Sequence, residues 1–125
     1  MEKQYRSFED LDAYKMAYEL CNLIWDIVVT WDNFAKWSLE KQYTSAADSV
    51  SANIEEGFGR YYKKEKIQFY RYSYGSLQET KDWTQKARYR RLLSEEDYKK
   101  IMQRIEQLPK AINSLILYTN QKLKY

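Results

Sequence analysis

Histidine is absent from this chain, and cysteine occurs only once, at Cys21. Structural zinc sites use four Cys or His ligands, and a ferritin-like di-iron site needs Glu-x-x-His on two helices. The sequence supplies neither ligand set, and a single cysteine cannot form an internal disulfide. We therefore expect no metal, no other cofactor and a reduced, cytoplasmic setting.

Glycine and proline are also scarce, with three glycines and one proline in 125 residues. This scarcity argues against an all-β protein with many turns and against a disordered chain. The longest apolar stretch, residues 20–31, is too short to cross a membrane and is interrupted by Asn22 and Asp26. We expect no signal peptide and no membrane span. The length predicts one domain, residues 1–125.

Apolar residues recur at spacings of three and four in four segments, as amphipathic helices require. The segments cover roughly residues 10–30, residues 39–59, residues 63–91 and the stretch after Ser94. The predicted inward-facing residues are Leu11, Tyr14, Tyr18, Cys21, Trp25 and Val28; Leu39, Tyr43, Ala46, Val50, Asn53 and Gly57; Tyr70, Ser73, Leu77, Thr80, Thr84 and Ala87; Ile101, Ile105, Leu108, Ile112 and Leu115. Short connections predict an all-α, antiparallel up-down-up-down four-helix bundle.

Two residue types predict local features of these helices. Gly57 and Gly59 stand where the second helix should end, and either glycine can take the left-handed conformation that closes a helix. Pro109 lies inside the fourth segment and lacks a backbone N–H. It predicts a kink or break near residues 105–108.

The position of the turn between the second and third helices predicts which residues of the two helices face each other. If the chain turns near residues 60 and 61, facing residue numbers total about 121. Gly75 and Ser76 then lie opposite the small residues 45–47, which predicts a close contact between the two helices. By the same count, Glu79 lies opposite Gln42.

Two carboxylates of this hairpin are candidates for paired acid–base chemistry. Glu56 and Glu79 are separated by about eleven residues of helix, or roughly 16 Å, whereas the carboxylates of glycosidases lie roughly 5 to 9.5 Å apart. Arg60 follows Glu56 by four residues, which favours a helical ion pair. We interpret Asn53, Glu56 and Arg60 as a structural polar network and predict that the protein is not an enzyme.

Several short strings of the sequence occur together in one known family. They are Asn-Ile-Glu-Glu-Gly-Phe-Gly-Arg at 53–60, Gly-Ser-Leu-Gln-Glu at 75–79, Leu-Glu-Lys-Gln at 39–42, Ala-Ala-Asp-Ser-Val at 46–50 and Phe-Glu-Asp-Leu-Asp-Ala-Tyr-Lys-Met-Ala at 8–17. The chain resembles, over roughly residues 7–118, the bacterial four-helix-bundle proteins encoded in intervening sequences of 23S rRNA genes. Members of that family usually carry an arginine where this chain has Ser45, and that arginine would face Glu79.

The resemblance also implies partners. The family implies a homopentameric ring, and the related accessory proteins of diversity-generating retroelements imply a basic ring that binds nucleic acid and a reverse transcriptase. These implications come from the resemblance alone. The periodicity of the sequence predicts neither the ring nor its partners.

Charge is distributed unevenly along the chain. Residues 1–59 hold five Lys/Arg and eleven Asp/Glu, whereas residues 60–91 hold ten and three, which gives balances of −6 and +7. Cations and tyrosines alternate in the basic segment, a pattern that can bind phosphates and stack on unpaired bases. The candidate nucleic-acid-binding residues are Arg60, Lys63, Lys64, Lys66, Arg71, Lys86, Arg88, Arg90 and Arg91.

The sequence therefore favours a non-enzymatic, self-associating bundle that binds nucleic acid, with RNA preferred over DNA. Two alternatives remain open. Acidic and basic helices can simply complement one another inside the bundle or face water. The acidic half of one subunit can also contact the basic half of the next, which would make the protein a structural or protein-binding module.

Overall fold

The computed structural model describes residues 5–125 and contains four long helices. The helices are α1 (Asp12–Val28), α2 (Lys41–Gly59), α3 (Lys63–Tyr89) and α4 (Glu95–Lys122). Short helical turns precede two of them, Phe8–Asp10 before α1 and Asn33–Ala35 with the π-helical Lys36–Glu40 before α2. Each helix packs on the next one in the chain, and α1 packs on α4. The predicted all-α, antiparallel four-helix bundle is confirmed.

The inner faces of α3 and α4 are those that the periodicity predicts. All six residues predicted to face inward on α3, from Tyr70 to Ala87, are buried, and so are all five on α4, from Ile101 to Leu115. On α2 the predicted stripe is buried except for Asn53, which is half-buried. Each of these helices carries a single apolar or small-residue stripe, so no second stripe could be buried in its place.

The prediction for α1 is partly wrong. Tyr18 and Trp25 are 53% and 50% exposed. The buried face of this helix is formed by Ala13, Ala17, Leu20, Cys21, Ile24 and Val28. Two apolar stripes run side by side along α1, and small and aliphatic side chains allow closer packing against the neighbouring helices than aromatic rings do. The tertiary packing therefore turns the aliphatic stripe inward and leaves the tyrosine and tryptophan on the flank.

The core between α2 and α3 contains buried hydroxyl groups, and each has a partner. Tyr43 Oη lies 2.7 Å from Thr84 Oγ1, which also donates to the Thr80 carbonyl at 2.7 Å. Ser73 Oγ donates across the helix pair to the Val50 carbonyl at 2.7 Å. Buried polar groups are tolerated when they are hydrogen-bonded, so these contacts hold the polar inner face of α3 against α2.

The left-handed glycine predicted at the end of α2 is wrong. None of the glycines has a positive φ, and the helix closes at Arg60, whose backbone is extended with φ −77° and ψ 153°. Gly57 is needed for another reason. A Cβ at this position would lie 2.7 Å from Tyr70 Cε1 and 3.0 Å from the Lys66 carbonyl oxygen, so the absence of a side chain lets α2 approach α3.

Helix α4 begins at a capping serine and contains Pro109. Ser94 caps the helix, with its Oγ accepting from the Asp97 backbone N–H at 3.0 Å. The helix continues through Pro109 to Lys122, so the predicted break is wrong. Proline removes only one hydrogen bond of the ladder, and burial of Leu108 and Ile112 on either side keeps the helix on the core.

Candidate nucleic-acid interface

The facing pairs of the α2–α3 hairpin differ from the predicted ones by two to six residues. Val50 pairs with Ser73 and Tyr43 pairs with Thr84, so facing numbers total 123 and 127 instead of about 121. Helical side chains lean toward the N-terminus of their own helix. The long Tyr43 side chain therefore reaches along α3 toward its C-terminal end. The predicted facing pairs were counted from Cα positions and do not include this reach.

The role predicted for Gly75 is wrong. Gly75 is exposed, and no atom lies within 4 Å of the position where its Cβ would be, so it makes no close contact with residues 45–47. The neighbouring Ser76 is half-buried and its carbonyl accepts a hydrogen bond from Thr80 Oγ1. Glycine in a helix interior costs up to about 1 kcal/mol relative to alanine. The single bundle offers no packing reason for Gly75.

The position of Glu79 also changes. With the facing total of 123 given by Ser73 and Val50, Glu79 comes level with Thr44, next to Ser45. Glu79 Oε1 accepts from Trp83 Nε1 at 3.4 Å on its own helix. The carboxylate is exposed, so it does not need the arginine that the family resemblance implies as a partner.

We expect Ser45→Arg to be tolerated or slightly stabilising. Both Ser45 and Glu79 are exposed, and an exposed ion pair contributes about 0–1 kcal/mol. The midpoint of urea unfolding measures the change. The same substitution combined with Glu79→Gln provides the control, since it should remove the gain. A clear decrease of the midpoint in Ser45→Arg would show that the arginine does not reach Glu79.

The three residues of the predicted polar network divide into two separate contacts. Arg60 Nη2 lies 2.6 Å from Glu56 Oε1, and the guanidinium lies 4.6 Å from the centre of the Phe69 ring. Asn53 instead donates to the Ser49 carbonyl at 2.9 Å, one turn back on α2. Arg60 thus connects the end of α2 to α3, and Asn53 takes no part in that link.

The nine candidate cations have three kinds of surroundings. Arg60, Lys86 and Arg88 form ion pairs with Glu56, Asp82 and Glu95 respectively. Lys63 and Lys66 donate to backbone carbonyls, and burial lowers the pKa of Lys66 from its ordinary value. Lys64, Arg71, Arg90 and Arg91 are exposed and form no ion pair within the described residues. These four cations are therefore the ones available to an anionic partner.

The nine residues do not form one site, because they lie toward opposite ends of α3. This helix has 27 residues and is about 40 Å long. Its first end lies beside the chain terminus, where the Lys63 backbone N–H donates to the Tyr125 carbonyl and Lys63 Nζ lies 3.4 Å from the Asn120 carbonyl oxygen. Lys122 and Lys124 consequently belong to the same end as Lys63 and Lys64, which the sequence pattern did not indicate.

A groove runs between α3 and α4 from this end toward the middle of the bundle. Its first part has a volume of about 430 Å³ and is lined by Lys63, Lys64, Ile67, Gln68, Arg71 and Asn120. Its second part has a volume of about 300 Å³ and is lined by Arg71, Tyr74, Asn113 and Ile116. Arg71 lines both parts, so the groove combines cations, amide groups and an apolar floor.

The four helices differ in charge in a way that separates two sides of the bundle. Helix α3 holds seven Lys/Arg and three Asp/Glu, a balance of +4, and α4 holds five and four, a balance of +1. Helices α1 and α2 each hold one Lys and three Asp/Glu, a balance of −2 apiece. The α3–α4 side is therefore basic and the α1–α2 side is acidic.

The described residues 5–125 contain no group of three His, Cys, Asp or Glu side chains that could hold a metal ion. None of the helices in this part of the chain is both long and apolar enough to cross a membrane.

The chain is an antiparallel four-helix bundle with one basic side. The family model described as 23S rRNA-intervening sequence protein matches residues 9–114, and the protein belongs to that family. No curated protein matches the chain.

Proposed function

We propose that this protein is a non-enzymatic, self-associating bundle that binds nucleic acid, RNA in preference to DNA, in the groove between α3 and α4. The observation that supports this proposal best is the pair of exposed cations Lys64 and Arg71 on that groove. Neither side chain forms an ion pair with any of residues 5–125, so both can contact phosphates without losing a partner in this part of the chain.

Tyrosines next to the groove suit single-stranded nucleic acid better than a duplex. Tyr72 is 49% exposed and Tyr74 is 39% exposed on α3, and Tyr61 and Tyr62 are exposed at its start. Unpaired bases stack on such rings, and sequence-specific RNA recognition uses loops and single strands whose bases are accessible. Cations would hold the phosphates while the rings hold the bases.

The test compares two charge-reversal variants of the whole protein. We expect Lys64→Glu with Arg71→Glu to weaken binding of a single-stranded RNA roughly tenfold or more and to reduce the dependence of affinity on salt. Fluorescence anisotropy at several salt concentrations measures both. The matched control is Lys15→Glu with Lys41→Glu, which changes net charge by the same amount at exposed sites on the acidic side.

Equal losses in the two variants would show diffuse attraction to net charge and would contradict a site in the groove. Lys122 and Lys124 cannot serve as controls, because they lie at the same end of the bundle as Lys63. Reversal of Arg90 and Arg91 at the far end of α3 should have a smaller effect than reversal of Lys64 and Arg71. Circular dichroism and oligomer mass should stay unchanged in each variant.

A second candidate function is that of an interaction module without nucleic-acid binding. The opposite charges of the two sides of the bundle favour it, because the acidic side of one copy complements the basic side of another. A homopentamer and a reverse-transcriptase partner, which the family resemblance implies, both fit this candidate. It replaces the first one if the wild-type protein binds neither RNA nor DNA at low ionic strength.

A further inference from the structure

A cavity separate from the groove opens at the end of the bundle where the chain turns from α2 into α3. Its lining comes from Leu11 before α1, the end of α2, the start of α3 and the end of α4, and its volume is about 220 Å³. Four of the lining side chains are aromatic: Tyr5, Phe58, Tyr70 and Tyr118. The rings of Tyr5 and Tyr118 lie edge to face with their centres 5.2 Å apart. Aromatic rings pack well in such arrangements, so this wall suits a flat aromatic ligand.

Lys66 brings a positive charge to this cavity, and no Asp or Glu of the described residues lines it. The amine donates to the Phe58 carbonyl at 2.6 Å and lies 5.3 Å from the centre of the Phe58 ring. It forms no ion pair with any of residues 5–125. An ammonium has three N–H donors, so two of them are not used within this part of the chain. Burial lowers the pKa of Lys66, because the charged amine has lost water without gaining a carboxylate.

The hydroxyl groups on the cavity wall already have partners inside the bundle. Tyr70 and Thr119 are 1% and 2% exposed. The Tyr70 hydroxyl is hydrogen-bonded to Thr119, whose Oγ1 donates to the Leu115 carbonyl at 2.8 Å. Neither hydroxyl needs a ligand, so the Lys66 ammonium is the group on this wall that gains most from one. An anion would accept its remaining hydrogen bonds and balance its charge.

We propose that this cavity binds a small aromatic carboxylate, with the ring between the aromatic side chains and the carboxylate on Lys66 Nζ. The volume is below the roughly 300–1,000 Å³ of pockets for drug-sized ligands, so the ligand has a single ring. Lys66 would repel a cation, and an inorganic anion would leave the aromatic wall in water. No residue that lines the cavity also lines the groove between α3 and α4, so this site is additional to the proposed function.

The first experiment titrates the whole protein with benzoate, benzamide and acetate, and follows the backbone amide signals by NMR. We expect benzoate to shift the signals of Phe58, Lys66 and Leu123, with a Kd of roughly 1 mM or lower. Benzamide has the same shape without the charge and should bind about tenfold more weakly, because it cannot form a charge-assisted pair with the amine. Acetate carries the charge without the ring and should also bind about tenfold more weakly than benzoate.

The second experiment separates the two halves of the site. Lys66→Met keeps the length of the side chain and removes the charge, so benzoate should lose about tenfold in affinity while benzamide keeps its own. Leu123→Trp fills the cavity from its edge without changing charge, and both probes should bind more weakly. The matched control is Lys124→Met, an exposed lysine at the same end of the bundle that does not line the cavity, which should keep the wild-type affinities.

Three outcomes would overturn the proposal. If benzoate and benzamide bind the wild-type protein equally, or neither binds at millimolar concentration, the ammonium does not select an anionic ligand. Equal losses in Lys66→Met and Lys124→Met would show attraction to the charge of this end of the bundle. Unchanged benzoate binding by Leu123→Trp would place the ligand outside the cavity, and this variant also decides the matter if Lys66→Met does not fold. Leu123→Trp should keep the RNA affinity of the wild type, so failure here leaves the groove proposal standing.

Discussion

Gly57→Val should lower the free energy of unfolding by about 3 kcal/mol, the upper end of the cost of overpacking a core. The new Cβ alone would lie 2.7 Å from Tyr70 Cε1 and 2.9 Å from Cδ1. The Tyr70 ring cannot move away, since it is 1% exposed, and the Lys66 carbonyl oxygen at 3.0 Å belongs to the backbone of α3. Relief would require α2 and α3 to separate.

The control for this prediction is Gly59→Val, two residues further along α2. No atom lies within 4 Å of its Cβ position, so stability should change by no more than about 0.5 kcal/mol. Urea unfolding followed by circular dichroism measures both variants. A Gly57→Val protein as stable as the control would show that the hairpin can open at this point without loss of core packing.

Thr84→Val should destabilise the protein by about 1–3 kcal/mol, more than Tyr43→Phe. The Tyr43 hydroxyl is fully buried, and Thr84 Oγ1 at 2.7 Å is its hydrogen-bond partner. Burial also raises the pKa of Tyr43 above its ordinary range, so the hydroxyl stays protonated and keeps its need for a partner. Valine would leave it unsatisfied in the core.

Substitution of the other partner of this hydrogen bond, Tyr43, should cost less stability. In Tyr43→Phe, Thr84 Oγ1 still donates to the Thr80 carbonyl at 2.7 Å, so no buried donor is orphaned. We expect a loss of about 0.5–1.5 kcal/mol, the net contribution of one hydrogen bond. Thermal or urea unfolding of the two variants and of the double variant gives their coupling energy. Equal losses in the single variants would mean that Tyr43 finds another partner.

The surroundings of the candidate cations could be predicted only in part. The sequence identifies the cations of residues 60–91 and predicts the Glu56–Arg60 ion pair, but it does not show that Arg88 is paired with Glu95. Ion pairs between residues seven apart, such as Arg88 with Glu95, depend on how a turn folds back. The contribution of the chain terminus was missed because Lys63 and Tyr125 are distant in sequence and meet only in the bundle.

The sequence by itself determined the helical class, the number of helices and the inner faces of α3 and α4, because each of these follows from one local period of apolar or small residues. Only the tertiary structure decided which of two stripes on α1 is buried, and which glycine lets α2 approach α3. Both outcomes depend on how side chains of different helices pack together, and the local sequence around each residue does not determine that packing. Gly57 would contact Tyr70 through a Cβ and Gly75 would contact nothing, although both glycines lie within helices.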